Sequence, residues 1–422
     1  MPAPNPHSVV ITGSARTPLG VKCGTLSRFS AEDLAVFAGE EAIRRCGIPR
    51  EHVDSVVGAN VYQFTAPGAQ DLYFPRNVGL RCGLREDAPA LMVQRICGSG
   101  LQTLITAMQQ ILMPEALDGT RAVLCVAGET MSRCPRIDRA PRRSGAAFWE
   151  FAGEGPLEDS ILASLNHDLA RTAMMRTADE YGARMGVTRR ECDQFAEESH
   201  RRARAARQAS WFNGGDALRG MFELAATDGE GRGVRMARDE CVRETSLAVL
   251  EALPGLTPNK LVSPGNASEI ADGAAAAVVC SRQRAEELGL PARWEIAGYG
   301  VCGVDPRVMG RGPVPAIQRA VARAGLALAD VGLWEINEAF AAQYLGVEKE
   351  LKLDRRLVNV NGGAVAIGHP LAATGLRMIA DLIHEMERRG VKHGCASACI
   401  GGGQGAAVVV RDLEPNGRSG QR

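Results

Sequence analysis

Three short segments carry side chains able to do covalent or proton-transfer chemistry, and each sits among glycines. Cys97 is followed by Gly98-Ser99-Gly100, where an apolar helical pattern opens. A helix N-terminus exposes N–H groups and partial positive charge. That setting is expected to lower a thiol pKa and to expose the sulfur, as a nucleophile requires. The competing reading is a packed Cys in a strand-to-helix turn. His369 lies in the run Asn359–Pro370, behind Gly362, Gly363 and Gly368, and is one of 7 His in the chain. A lone His is usually structural. On a glycine-rich loop at a helix start, an imidazole can also act as base toward a thiol. Cys399 precedes Gly401-Gly402-Gly403-Gln404-Gly405. This bare backbone offers N–H donors to an oxyanion, or simply forms a turn after a buried Cys. A phosphate-cradle reading fails, because no helix pattern follows and no Gly-Lys-Ser/Thr is present. Asn337-Glu338 follow the apolar stretch Leu333–Ile336. Polar residues there serve as turn and cap groups, or hold a catalytic water.

The elements needed to position these groups are legible as an echo. Residues 42–57 read as helix, Gly47, loop and apolar strand; residues 320–336 repeat that order around Gly325. Gly47 and Gly325 stand where a helix end favours a left-handed residue. The helical pattern after Cys97 places Leu101, Leu104, Ile105, Met108, Ile111 and Leu112 on one face. The pattern after His369 does the same with Leu371, Leu376, Ile379, Leu382 and Ile383. Strands at 122–126 and 406–410 then close the two halves. An internal duplication of α/β halves follows, with reactive loops from both facing one cleft.

The region between is different. Residues 127–270 are rich in Arg and turn residues, including 136–143 and 201–207. A helix is expected from Asp193 to Ser210, with most of its Arg on a solvated face and a minority meeting an anionic ligand. The tail 414–422 is polar and Gly-rich.

Composition bounds the classes. The chain has 422 residues, 45% apolar and 23% charged, which suits a globular protein of about two to three domains. Lys plus Arg and Asp plus Glu are both 49. No global basic field for nucleic acid or an anionic membrane exists, and no apolar run is long enough to span a bilayer. The 12 Cys make no Cys-x-x-Cys pair or zinc spacing, so they read as reduced thiols and no metal is expected. No signal or transit pattern is read at the start, and cytoplasm is the expected location.

Taken together, the chain resembles the thiolase family over nearly its whole length. The matches are Arg16-Thr17-Pro18, the Cys97 loop, Gly128-Glu129, Asn266-Ala267-Ser268, Asp272-Gly273-Ala274, Asp305-Pro306, Gly312-Pro313, Asn337–Ala341, the Gly368-His369-Pro370 loop and Cys399 with its glycines. The resemblance implies an α/β fold, with two duplicated halves stacked as α-β-α-β-α layers and an inserted loop domain. The implied boundaries are 1–126 for the first half, completed by about 271–292; 127–270 for the insert; 293–413 for the second half.

The implied reaction is acyl transfer between coenzyme A and a 3-ketoacyl-CoA, or condensation of two acetyl-CoA. Cys97 would be the acylated nucleophile, and His369 would activate it. Asn337 would position a water, and Cys399 would be the second acid/base. The N–H groups of Cys97 and Gly401 would form an oxyanion hole. Ser268 would bond the pantetheine arm and Arg243 would lie near the nucleotide end. Acyl-CoA substrates and a homodimer or homotetramer are implied, with coenzyme A as substrate and no further cofactor. The sequence departs from its relatives at Ala173-Met174-Met175-Arg176, at Ala372 and at Thr374. A ketosynthase-like enzyme would show one Cys with two His. A sterol-carrier-type relative would replace Asn337 by His. An inactive CoA-binding protein would not need Cys97, His369, Asn337 and Cys399 together.

Overall fold

A computed structural model describes residues 8–66, 71–138, 157–167, 170–209 and 220–414. Residues 139–143 of the first Arg-rich stretch and 415–422 of the tail lie outside the described residues.

Nine strands carry the architecture: β1 (Val9–Arg16), β2 (Ser55–Ala59), β3 (Ala90–Met92), β4 (Ala122–Thr130), β5 (Ala271–Ser281), β6 (Trp294–Gly303), β7 (Leu333–Ile336), β8 (His393–Ile400) and β9 (Gln404–Asp412). Their order is β7-β8-β9-β6-β1-β5-β4-β2-β3. The first half reads β2-β4-β5-β1 and the second β7-β8-β9-β6, the same spatial order twice. Hydrogen bonding repeats too. β2/β4 and β7/β8 are parallel, and the next two pairings in each half are antiparallel. The halves join edge to edge where Val10 and Ile11 pair with Glu295 and Trp294.

The duplication extends to a defect. β1 shifts register between Ile11 and Gly13, and β6 between Ile296 and Gly298. Bulges bend a strand and re-aim it. Each bulge glycine backs a helix: α1 (Ala31–Cys46) behind Gly13 and α6 (Pro313–Arg323) behind Gly298. A Cβ on Gly298 would lie 2.6 Å from Ala320 O, so only glycine permits this approach.

Alternation along the strands builds the layers. Leu124, Val126, Ala276 and Val278 face α1, while Val123, Cys125, Ala275 and Ala277 face inward. That inner face packs on α3 (Ser99–Leu112) and α8 (Leu371–Arg389). Ala396, Ala398, Ala406 and Val408 of the second half cover the other side of the same helices. Cys395, Ala407 and Val409 turn outward to α6 and α7 (Ala341–Leu351). The fold is therefore α-β-α-β-α, and both faces of each sheet are buried, which explains why these strands read as unbroken apolar runs.

The segment before β5 supplies α4 (Met174–Arg184) and α5 (Arg189–Gln208). Thr188 and Glu191 form a capping box at the start of α5. Phe195 of α5 stacks on Tyr344 of α7 with ring centroids 4.4 Å apart. The solvated reading of the Arg face needs correction at Arg202. Its guanidinium bonds Glu198 and the Val358 and Arg355 carbonyls, at 2.7, 2.6 and 3.2 Å, tying α5 to the second half. Arg201 fits the solvated reading, exposed and paired with Glu198.

Candidate functional site

α3 and α8 are buried between the two sheets and meet near their N-termini. A Cβ on Gly100 would lie 2.6 Å from Leu376 N, and one on Gly375 would overlap Leu101 N. Backbone-to-backbone approach thus requires glycine on both helices. Because Cys97 and His369 each precede one of these helices by two residues, this crossing carries both side chains to one place.

Cys97 sits on a single tight turn, Ile96–Gly98. Ile96 has φ of 45°, a strained conformation for a β-branched residue and a recurrent feature of functional sites. Ser99 Oγ fixes the turn, accepting from Arg95 N–H at 2.8 Å and donating to Ile96 O at 2.7 Å. A Cβ on Gly98 would overlap Ile400 Cδ1, so the turn presses on the end of β8. Arg95 reinforces the junction by donating to Gln404 Oε1 at 2.6 Å and Gln102 Oε1 at 2.8 Å.

This junction brings Cys399 and Gly401 to the Cys97 turn. The backbone N–H groups of Gly401 and Cys97 lie close enough to Cys97 Sγ to favour its thiolate. Cys399 is fully buried and close enough to Cys97 to feel a charge on its sulfur. The chain after Cys399 reverses through Gly402 and Gly403, at φ of 86° and 84°, into β9.

The expected electrostatics of Cys97 are overturned. Its residue is half-buried, and burial pushes the thiol up to about 11 against the help of the two N–H donors. α3 begins at Ser99, so its terminus is not directly under the sulfur. Desolvation outweighs the helix end. Cys399 is also raised well above the usual thiol range, again by burial.

His369 is buried, and its backbone N–H donates to Glu269 O at 3.0 Å. Desolvation, with the Arg377 guanidinium nearby, holds the imidazole down at about 3, so it is neutral at ordinary pH. Asn337 Nδ2 is 3.2 Å from His369 Nε2. Asn337 extends the β7 ladder by donating to Ser397 O at 2.8 Å, and its Oδ1 is buried without a protein partner among the described residues. Four sequence-designated side chains, Cys97, His369, Asn337 and Cys399, therefore occupy one centre with Gly401.

Ser268 lies at its rim. Its N–H donates to Ala339 O at 3.1 Å, one residue before the Glu269 carbonyl that holds His369. Arg243 is farther out and exposed, paired with Glu269 at 2.9 Å.

Other residues of the centre were not singled out by sequence reasoning. Met174, Met309, Leu165 and Phe340 pack around Cys399. Met174 fell within the noted divergent stretch, but nothing in a single sequence places it against β8. Glu129 matched a motif without a role. Its buried carboxylate accepts from Asn60 Nδ2, Tyr62 N, Val61 N and Ala372 N, at 3.0, 2.9, 3.2 and 3.0 Å. Burial still raises it to about 7.

Residues 9–283 match the family described as thiolase, N-terminal domain, and residues 290–412 match thiolase, C-terminal domain. The human mitochondrial 3-ketoacyl-CoA thiolase is 39% identical over 406 residues, 96% of this chain and 98% of that protein. The acetyl-CoA acetyltransferase of Cupriavidus necator is 38% identical over 407 residues, 95% and 98% of the two chains. A crystal structure of the human mitochondrial 3-ketoacyl-CoA thiolase in complex with CoA superposes with a TM-score of 0.88 at 38% identity, covering 97% of this chain and 98% of that one. Two family domains in sequence, near-complete relatives and the same fold agree: the chain belongs to the thiolase family.

Proposed function

We propose that this thiolase works through a Cys97 acyl-enzyme, with 3-ketoacyl-CoA and CoA, or two acetyl-CoA, as its substrates. The carrying observation is the meeting of the Cys97 turn with the Cys399–Gly401 segment, beside a neutral His369 held against Asn337. In the acylation step His369 Nε2 takes the Cys97 proton as the sulfur attacks the thioester carbonyl. The C–S bond to CoA breaks, and the protonated imidazole returns that proton to the departing thiolate. In condensation the departing CoA thiolate takes its proton from Cys399 instead, which leaves a Cys399 thiolate and a protonated His369. The Cys399 thiolate then takes a proton from the methyl of a second acetyl-CoA, and the resulting carbon attacks the acyl carbonyl. Cys97 leaves as thiolate and recovers its proton from His369, while Cys399 keeps the methyl proton. Thiolysis is the reverse. A fixed N–H pair stabilises developing oxyanion charge without solvent reorganisation. The orphan Asn337 Oδ1 suits the reading that it accepts from a water donating to the second oxygen.

Ser268 at the rim and exposed Arg243 beyond it suit a pantetheine arm that enters past Ser268 and a nucleotide outside it. A homodimer or homotetramer is part of the same reading. β3 is an edge strand with Leu91 exposed, and α2 (Phe74–Arg81) beside it exposes Leu80, preceded by exposed Leu72 and Tyr73. An uncovered apolar sheet edge needs a partner. The test is peptide mapping after incubation with acetyl-CoA. Label on Cys97 supports the reading; label on Cys399 or Cys395 sinks it.

A further inference from the structure

His369 Nδ1 lies 2.7 Å from Thr374 Oγ1, and Thr374 Oγ1 lies 2.9 Å from Pro370 O. All three groups are buried. A hydroxyl has one proton, and a carbonyl oxygen can only accept. The Thr374 proton is therefore committed to Pro370 O. Thr374 Oγ1 can meet the imidazole only as an acceptor, so Nδ1 carries the ring proton. The ring is neutral, which leaves Nε2 bare, and the Asn337 amide N–H donates to it across 3.2 Å. Every contact then has one donor and one acceptor. The opposite tautomer would set two lone pairs against each other at Nδ1 and two N–H groups at Nε2.

We infer that Thr374 is a positioning residue that fixes His369 in the tautomer with a bare Nε2, the form able to take the Cys97 proton. The inference rests on the reading of His369 as the base. Its location explains how a helix residue can do this. Thr374 is the fourth residue of α8, so its hydroxyl folds back on the carbonyl four residues earlier while its oxygen faces the ring. A purely structural Thr would fill the same space and lose only stability when changed.

The variants Thr374→Val and Thr374→Ser separate these roles, with acyl-enzyme formation from acetyl-CoA measured in single turnovers. Val keeps the branched shape and removes the acceptor. Acylation is expected to fall about 100-fold or more, the scale of a lost general base, with substrate KM little changed. Ser restores the acceptor and is expected to recover acylation to within about ten-fold. Val within a few-fold of the parent, or Ser as slow as Val, overturns the inference. A readout on the parent enzyme does not depend on Val folding. With 15N-labelled histidine, the ring signals absent from His369→Ala should show a protonated Nδ1 and a bare Nε2, and the reverse overturns the inference. His369→Ala also separates the two levels of the argument. If it acylates normally, the base reading fails; if it is inert while Val is active, only the role of Thr374 fails.

Discussion

The buried Cys97–His369 centre should show no preformed thiolate–imidazolium pair, and this can be tested without substrate. Cys97 is pushed up to about 11 and His369 down to about 3. At about 1.4 kcal/mol per pKa unit, moving the proton between them in the empty site costs on the order of 10 kcal/mol. At pH 7 about one Cys97 in 10,000 would be thiolate. The sign follows from the two directions. Raising pH toward 11 creates thiolate, whereas lowering it changes nothing at His369 until about 3. The assay is iodoacetamide alkylation of Cys97, quantified on its own peptide because Cys23 is exposed and Cys134 is half-buried like Cys97. The rate should climb about ten-fold per pH unit from about pH 6 to 9, with no plateau. A plateau above pH 6, or an inflection between 5 and 7 that vanishes in His369→Ala, would refute the reasoning. It would mean that the helix ends and N–H donors overcome desolvation after all.

Three further outcomes are expected. Cys399→Ser should still form acyl-enzyme and exchange CoA but lose condensation by several orders of magnitude, measured together with deuterium exchange at the acetyl methyl. Equal, few-fold effects on both half-reactions would reduce Cys399 to packing. Gly100→Ala should destabilise by about 1–3 kcal/mol, because the new methyl meets Leu376 N at 2.6 Å and the helices must part; an unchanged thermal midpoint would show that they can yield. Arg243→Ala should weaken CoA substrates by no more than about ten-fold, since an exposed pair is worth roughly 1 kcal/mol or less. Pantetheine thioesters should be little affected, and equal loss for both would show that Arg243 supports the fold.

The duplicated halves and the four side chains that converge at the centre were legible because glycine spacing and apolar periodicity are local signals. Gly47 and Gly325 take φ of 73° and 71° as helix ends, in the positions the echo required. The two bulges were not legible, since Gly13 and Gly298 matter only through the helices packed behind them. The thiol pKa of Cys97 was misread for a related reason. A helix start is written in the sequence, but the depth of the sulfur below the surface depends on Ile400, Leu371 and Tyr62, contributed by distant segments. Arg202 looked like any other Arg of a solvated face, and only the position of the 355–358 backbone made it a tether.

What fixes the centre is a pair of buried carboxylates, one from each half, both at the C-terminal ends of parallel-paired strands. Glu129 is the penultimate residue of β4 and holds the N–H of Ala372, three residues past His369. Glu338 lies two residues beyond β7, next to Asn337. It accepts from Asn359 Nδ2 at 2.8 Å, Ser199 Oγ at 2.7 Å and Val365 N at 3.2 Å. Burial raises both carboxyls above their usual range, so each is costly to keep. Backbone and amide N–H donors offset that cost only while every segment stays in place. A loop that drifts leaves a buried oxygen unpaired, so the penalty returns as a restoring force on the chain. The segments restrained in this way are the 60–62 loop, the start of α8, the 363–367 turn and α5. They surround His369 and Asn337 and join the insert to the second half. Cys97, His369 and Asn337 can then sit on turns rather than on regular structure, because the rigidity comes from the carboxylates beneath them.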